Sequence, residues 1–332
     1  WSSSMIQRVQ FSAPEALYDN WDDILSHPKP ITINTYSTGM MQTPVSAIIN
    51  LEHEHTKDIE DELIEFPVTA NIIQHQQFGV YLIDAGLDAS YVHSQYGTQK
   101  GLMVKSKSGK GSQEPGTHIA AILKKENIQI QGVFLTHLHP DHVAGIVDLP
   151  KDVSYIVGKG ELYVNFKFFM HTDHLAGVDK LEEFDFDMGI DLTPFGKSID
   201  IFGDGSLWAI SSSGHSKGHV IYFINGIEEK VLVTGDACNT QYQFDIGIGP
   251  GTYSSNVEQA QDVLDRIVNV PACIHLDHGK SLKTMIRAIR AGFTSIMYDG
   301  SEHPLDENIK NTAEVVKIAH SVGVSVEGEI GK

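Results

Sequence analysis

Cysteine is scarce in this chain. Two residues, Cys238 and Cys273, cannot build a disulfide framework, which fits a reducing compartment. Basic residues are outnumbered too: 24 Lys and Arg stand against 43 Asp and Glu, for a net charge of −19. A chain this acidic repels a phosphate backbone and carries no basic stripe, so nucleic acid is not an expected partner. Long apolar runs are missing, and the N-terminus lacks a basic-then-apolar signal. The expectation is a soluble cytoplasmic protein with no membrane partner. No internal repeat is visible. The "WSSS" ahead of Met5 reads as a cloning remnant and is left out of the fold reading.

What is present suits a globular α/β protein. The 332 residues leave room for one large domain or two modest ones. Runs rich in β-branched and aromatic residues come first: "ITINTYSTG" (31–39), "VSAIINLE" (45–52) and "FGVYLIDAG" (78–86). A polar stretch, 87–115, reads as a long loop. "GTHIAAILKKENI" (116–128) has helical spacing and leads into the strand "GVFLTH" (132–137). A short helix from His142 and the strand 153–158 follow. Four strand-like runs come next, "SIDIFG", "LWAISSS", "HVIYFING" and "KVLVTGDA", then an amphipathic helix over 256–269. From residue 270 the texture changes to βαβαβ at regular spacing, the pattern of a parallel sheet. A boundary near Val268 divides a first domain, 5–268, from a segment, 269–332.

The chemistry concentrates in "THLHPDHVAG". At a strand end, residues i and i+2 point the same way, so His137 and His139 can grip one ion together. The Pro-Asp-His turn then sends Asp141 and His142 toward a neighbouring position. Three imidazoles and a carboxylate within six residues suit Zn²⁺ or a similar borderline metal. Later strand ends add His215 in "SSSGHSKGH", Asp236 in "VLVTGDA" and His278 in "PACIHLDHG".

HxHxDH, then Gly-His, then Gly-Asp, then a final His resembles the metallo-β-lactamase superfamily of hydrolases, over about Ile31 to Asn269. The resemblance implies a four-layer αββα sandwich with two divalent ions, Zn²⁺ or another such as Fe or Mn. It implies one ion on His137, His139 and His215, a second on Asp141, His142 and His278, and Asp236 bridging them. The wide gap from His142 to His215 and the short one to Asp236 look like the quorum-sensing lactonase branch. Glyoxalase II typically has a shorter first gap, and no basic set for glutathione is visible. Flavodiiron relatives have Glu where His139 stands.

The implied reaction is hydrolysis of an ester or lactone, an acyl-homoserine lactone among them, by a hydroxide bridging two metals. Asp141 or Asp236 is available to steer the nucleophile or relay a proton. Tyr242 reads either as an oxyanion donor or as an ordinary half-buried tyrosine. His219 reads as a support for the ligands or as a strand-start histidine. Asp84 is expected to support a turn near the metals. "HTDH" (171–174) is taken as a decoy, and Phe166, Phe168 and Phe169 line a substrate pocket or pack in the core. Small-molecule esters or lactones are the expected partners, with a homodimer left open.

Residues 269–332 closely resemble class II, metal-dependent fructose- or tagatose-bisphosphate aldolases. That resemblance implies an acid/base Asp277, a metal ligand in His278, further polar groups in Glu302 and Glu327, and a piece of a TIM barrel. A full aldolase needs eight βα units, and about three are legible here, so aldolase activity ranks second. A metal-binding chimera of little activity ranks third. The strand "PACIHLDHG" stands where the hydrolase needs its last strand and ligand. In a regular strand His275 points opposite to His278 and is the rival ligand.

Overall fold

The computed structural model describes residues 6–101, 109–163, 174–269, 275–290, 293 and 295–330. The strands are β1 (Gln7–Gln10), β2 (Ile31–Pro44), β3 (Leu63–His75), β4 (Gly79–Ile83), β5 (Gly111–Ser112), β6 (Gly132–Phe134), β7 (Ser154–Gly158), β8 (Lys180–Phe184), β9 (Ile190–Leu192), β10 (Gly196–Asp200), β11 (Leu207–Ser211), β12 (Val220–Asn225), β13 (Lys230–Val233), β14 (His275–Gly279), β15 (Ser295–Asp299) and β16 (Ser325–Glu329). They form an eight-stranded sheet in the order β1-β8-β7-β6-β4-β3-β2-β5, a five-stranded antiparallel sheet β13-β12-β11-β10-β9, and a three-stranded sheet β14-β15-β16.

The first two sheets pack face to face. Ile33, Ile73, Ile83, Phe134 and Phe184 of the larger sheet meet Leu207, Ala209, Val220, Tyr222 and Ile224 of the smaller, all buried. The outer faces are apolar as well. Val133 and Leu82 turn outward onto Ile119 and Leu123 of the helix Ile119–Lys125. Trp208, Ile210 and Ile221 turn outward onto Val263, Leu264 and Ile267 of the helix Val257–Val268. Successive strand residues point to opposite faces, so a sheet covered on both sides needs apolar residues at every position. The result is a four-layer αββα sandwich. Among the described residues no helix is long and apolar enough to cross a membrane.

Two local readings change. "VSAIINLE" is not a strand: β2 runs on to Pro44, and Val45–Ile48 then forms one helical turn. The true partner of β2 is β3, whose Pro67 breaks a simple strand reading. That proline sits opposite Met40 in a stretch where β3 pairs only with β2, so its missing N–H costs no ladder bond on the other side, since β4 pairs only with Asn71–His75.

The last three strands form their own parallel sheet, with the helices Leu282–Arg290 and Leu305–His320 between them. Their core is separate: Leu276, Met285, Ala288, Ile296, Tyr298, Val315 and Ala319. The expectation that the strand at 275–279 completes the hydrolase sandwich is therefore corrected. It pairs with β15, its neighbour in its own βαβαβ pattern, and is hydrogen-bonded into neither sheet of the sandwich.

Candidate metal centre

The THLHPDH loop leaves β6 at the rim of the sandwich. Its entry is held by Asp84, which follows β4 in a left-handed conformation with φ 59°. The Asp84 carboxylate accepts from the Thr136 amide at 2.8 Å and the Thr136 hydroxyl at 2.8 Å. It also lies 2.7 Å from Nδ1 of His142. A carboxylate on Nδ1 fixes the ring and leaves Nε2 for a ligand, the arrangement common behind metal-binding histidines. The His142 Nε2 in turn lies 3.1 Å from Oδ1 of Asp236 and 3.6 Å from Oδ2 of Asp141.

His215 reaches the same spot from the loop after β11. Gly214 makes this possible: its φ is 149°, and a Cβ there would run into the backbone of Ala260 in the helix Val257–Val268. The His215 Nε2 is 2.9 Å from Nδ1 of His139 and 3.2 Å from Oδ2 of Asp236. His137 is fully buried, and among the described residues its Nε2 has no hydrogen-bond partner. A buried imidazole nitrogen without a partner is costly unless something else satisfies it.

Two sets of side chains thus present converging donor atoms, each set within 4.8 Å: His137, His139, His215 and Asp236, and Asp141, His142 and Asp236. Asp236 belongs to both. An orphaned His137 Nε2 among imidazoles and a shared carboxylate fits a divalent cation of the zinc type.

The electrostatics agree. Burial, then the charges of His142 and the other imidazoles around it, push His137 well below the ordinary histidine value. Burial and His215 bring His139 down to about 3. Burial would also lower His142, but Asp236, Asp84 and Asp141 outweigh it and raise it well above the usual range. Burial alone would raise Asp236, yet His142, His215 and His139 hold it far below the carboxylate range. Asp141 is raised, by burial first and with Asp236 adding to it, against the pull of His142.

His278 does not join either set, and the expectation that it ligates with Asp141, His142 and Asp236 is corrected. Its Nδ1 lies 3.2 Å from Oδ2 of Asp299, and its ring stacks on Tyr36 at 5.5 Å. It belongs to β14, outside the sandwich. The two-residue alternation expected there also fails, because His278 has φ 48° and the pairing with β15 shifts between Leu276 and Gly279. His275 and Asp277 lie in the same strand, their side chains outside the described residues.

The remaining candidates divide. His219 is buried: its Nδ1 is 2.8 Å from the Ser212 hydroxyl, and its Nε2 accepts from the Asp236 amide at 3.2 Å. Both nitrogens are used, so His219 supports the Asp236 turn. Tyr242, 43% exposed, lies in the wall of a cavity of about 1450 Å³ that opens onto His139, Asp141, His142 and Asp236. Arg290, Phe293 and Glu327 of the C-terminal segment line the same cavity. Glu302 pairs with Lys280 at 3.1 Å and with Lys125 at 2.6 Å. Phe166, Phe168, Phe169 and residues 171–173 lie outside the described residues; His174 is buried and in neither set. Sequence reasoning missed Ser212 and also Ser254, whose hydroxyl is 3.4 Å from Nδ1 of His215. A serine next to a loop carries no signal of its own.

The profile of the "Fructose-bisphosphate aldolase class-II" family matches residues 233–332. A "Probable fructose-bisphosphate aldolase" of Bacillus subtilis is 34% identical over 135 residues, 38% of this chain and 47% of that protein. A fructose-bisphosphate aldolase of Giardia intestinalis is 53% identical over 68 residues, 20% of this chain and 21% of that protein. The chain spans less than half the length of these curated relatives. Among solved structures, B. thuringiensis AiiA with N-decanoyl-L-homoserine bound at its active site superposes with a TM-score of 0.56 at 18% identity, covering 73% of this chain and 89% of that one. An N-acyl homoserine lactone hydrolase with its product at the catalytic metal centre gives the same TM-score, identity and coverage. A probable metal-dependent hydrolase from Staphylococcus aureus gives 0.51 at 20% identity, covering 73% and 85%. These likenesses concern the fold. The profile of the "Metallo-beta-lactamase superfamily" matches residues 63–272, well over half of the chain. The chain belongs to the metallo-beta-lactamase superfamily and is, by that membership, a hydrolase.

Proposed function

We propose that this protein is a dinuclear metal hydrolase acting on an ester or lactone. The observation that carries the reading is the junction at Asp236, where a set of three imidazoles and an Asp141–His142 pair share one carboxylate. His137, His139 and His215 would hold one divalent ion, Asp141 and His142 the other, and Asp236 would serve both. Bound there, the ions supply an activated water nucleophile and polarise a carbonyl.

The chain's own groups do the rest. Asp84 keeps the His142 Nδ1 engaged, so that Nε2 faces the site. His219 holds the Asp236 amide, fixing where the shared carboxylate lies. Tyr242 stands in the cavity wall as the candidate donor to a developing oxyanion. Ile33, Met41, Val45, Ile64 and Phe66 line the same cavity, a surface suited to an acyl chain. An N-acyl homoserine lactone is therefore the first substrate to try, in keeping with the lactone hydrolase among the fold neighbours.

The test is metal analysis with turnover. Two ions per chain, together with lactone hydrolysis that disappears in His137→Ala, are the expected result. Two ions with no ester or lactone turnover would leave a metal-binding chimera. Neither metal nor turnover would sink the reading.

A further inference from the structure

Glu161 is an acidic residue buried to 1% exposure in the turn after β7, far in sequence from every metal-binding candidate. Burying a carboxylate is costly unless donors satisfy it. Its donors come from two loops. The Oε1 atom accepts from the Leu138 amide at 3.1 Å. The Oε2 atom accepts from the Ser216 hydroxyl at 2.7 Å and from the Gly218 amide at 2.8 Å. Leu138 lies between His137 and His139, and Ser216 directly follows His215. The contact has no slack: a Cβ on Gly218 would stand 2.7 Å from the backbone nitrogen of Glu161.

We propose that Glu161 is a positioning residue. Its carboxylate ties the loop of His137 and His139 to the loop of His215 and so sets the separation at which the three imidazoles converge. Asp84 secures the Asp141–His142 side of the site; Glu161 secures the other. This inference rests on the metallohydrolase reading, because its consequence is metal affinity. In Glu161→Gln the amide nitrogen replaces one oxygen, so an N–H faces a donor whichever way the side chain turns.

The experiment is zinc titration of the metal-free full chain against a chelator, with ring-proton NMR of His139 and His142 to separate the two sets. In E161Q, zinc binding at the three-histidine set falls about 10- to 100-fold, the range for a lost ligand support. The Asp141–His142 set changes far less, and Ser216→Ala gives a smaller loss in the same direction. Weakening of both sets alike, which a merely structural role would give, overturns the proposal; so does parent-like affinity in both variants. If E161Q does not fold, S216A decides by the same criterion. If the parent takes up no zinc, the metallohydrolase reading falls on its own. Amide exchange then decides the tie: faster exchange at Leu138 and Gly218 in E161Q supports it, and unchanged exchange overturns it.

Discussion

The Nδ1 of His142 lies 2.7 Å from a carboxylate oxygen of Asp84, a residue 58 positions earlier in the chain. Asp84 also caps the loop through Thr136, so one side chain sets both the path of the loop and the ring that ends it. Replacing it with Ala removes the carboxylate partner of His142 Nδ1, leaving the Thr136 hydroxyl at 3.2 Å, and two loop bonds. Zinc binding at the Asp141–His142 set should fall about 10- to 100-fold, with a smaller loss at the three-histidine set. Site-resolved zinc titration measures this, and equal affinity in variant and parent would contradict it.

His278→Ala should leave metal content and hydrolytic turnover within about twofold of the parent, because the ring pairs with Asp299 and stacks on Tyr36. The loss should appear as stability, about 1 to 2 kcal/mol, as expected for a lost hydrogen bond and ring contact. Metal analysis and thermal unfolding read the two effects separately. Loss of one ion per chain would restore His278 as a ligand.

Protons should weigh differently on metal binding at the two sets. His139, brought to about 3 by burial and His215, is neutral at neutral pH and holds no proton for a cation to displace. His142 is raised well above the usual value, so it stays protonated and must lose that proton to bind. His137 and His139, both lowered by burial, should therefore add no pH dependence to binding at the three-histidine set between pH 7 and pH 5.5. At the Asp141–His142 set affinity should rise with pH, about tenfold per unit while one proton is displaced. Calorimetry in buffers of differing ionisation heat counts the protons. Tighter binding at that set as pH falls would refute the scheme.

Chelation should strip the two proposed ions unequally. Among the described residues the second set has three side chains, one of them shared, against four for the first. Graded chelator should therefore release one ion well before the other. Thermal unfolding should shift in two steps, since a ligand at 100 times its Kd stabilises by about 2.7 kcal/mol. Simultaneous loss of both ions would count against two distinct sites.

Gly214→Ala should be among the most damaging small substitutions. The backbone there has φ 149°, and the added Cβ would meet the Ala260 backbone. A destabilisation of about 2 to 4 kcal/mol is expected from the combined clash and backbone strain, with weaker zinc binding through displaced His215. Denaturant unfolding of the metal-free chain isolates the first effect. A variant as stable as the parent would contradict the close approach.

Most of the residues that the structure brings together at the candidate site were legible in advance, because potential ligands clustered in one turn or set at strand ends declare themselves by local spacing. His137, His139, Asp141 and His142 fall in one loop, and His215 and Asp236 each follow an apolar strand. The sandwich strands β10 to β13 and the final βαβαβ were legible for the same reason, since their apolar periods are local. β3 was hidden by Pro67, and the helical turn at Val45–Ile48 by its β-branched residues.

His278 marks where sequence reasoning stops. The residues around it determine that 275–279 forms a strand, but a strand carries no local label for the sheet it will join. Tertiary packing decided that. The side chains Leu276, Ile296 and Val315 bury one another, so β14 pairs with β15 and takes His278 with it. Glu161, Asp84 and His219 are the converse case: single polar residues whose roles exist only once distant loops are brought together. By itself the sequence determined which histidines and aspartates are candidate ligands, because residue type and strand-end spacing are local properties. Only the tertiary structure decided which histidine is left out and which carboxylates hold the rest, because those depend on contacts between residues far apart in the chain.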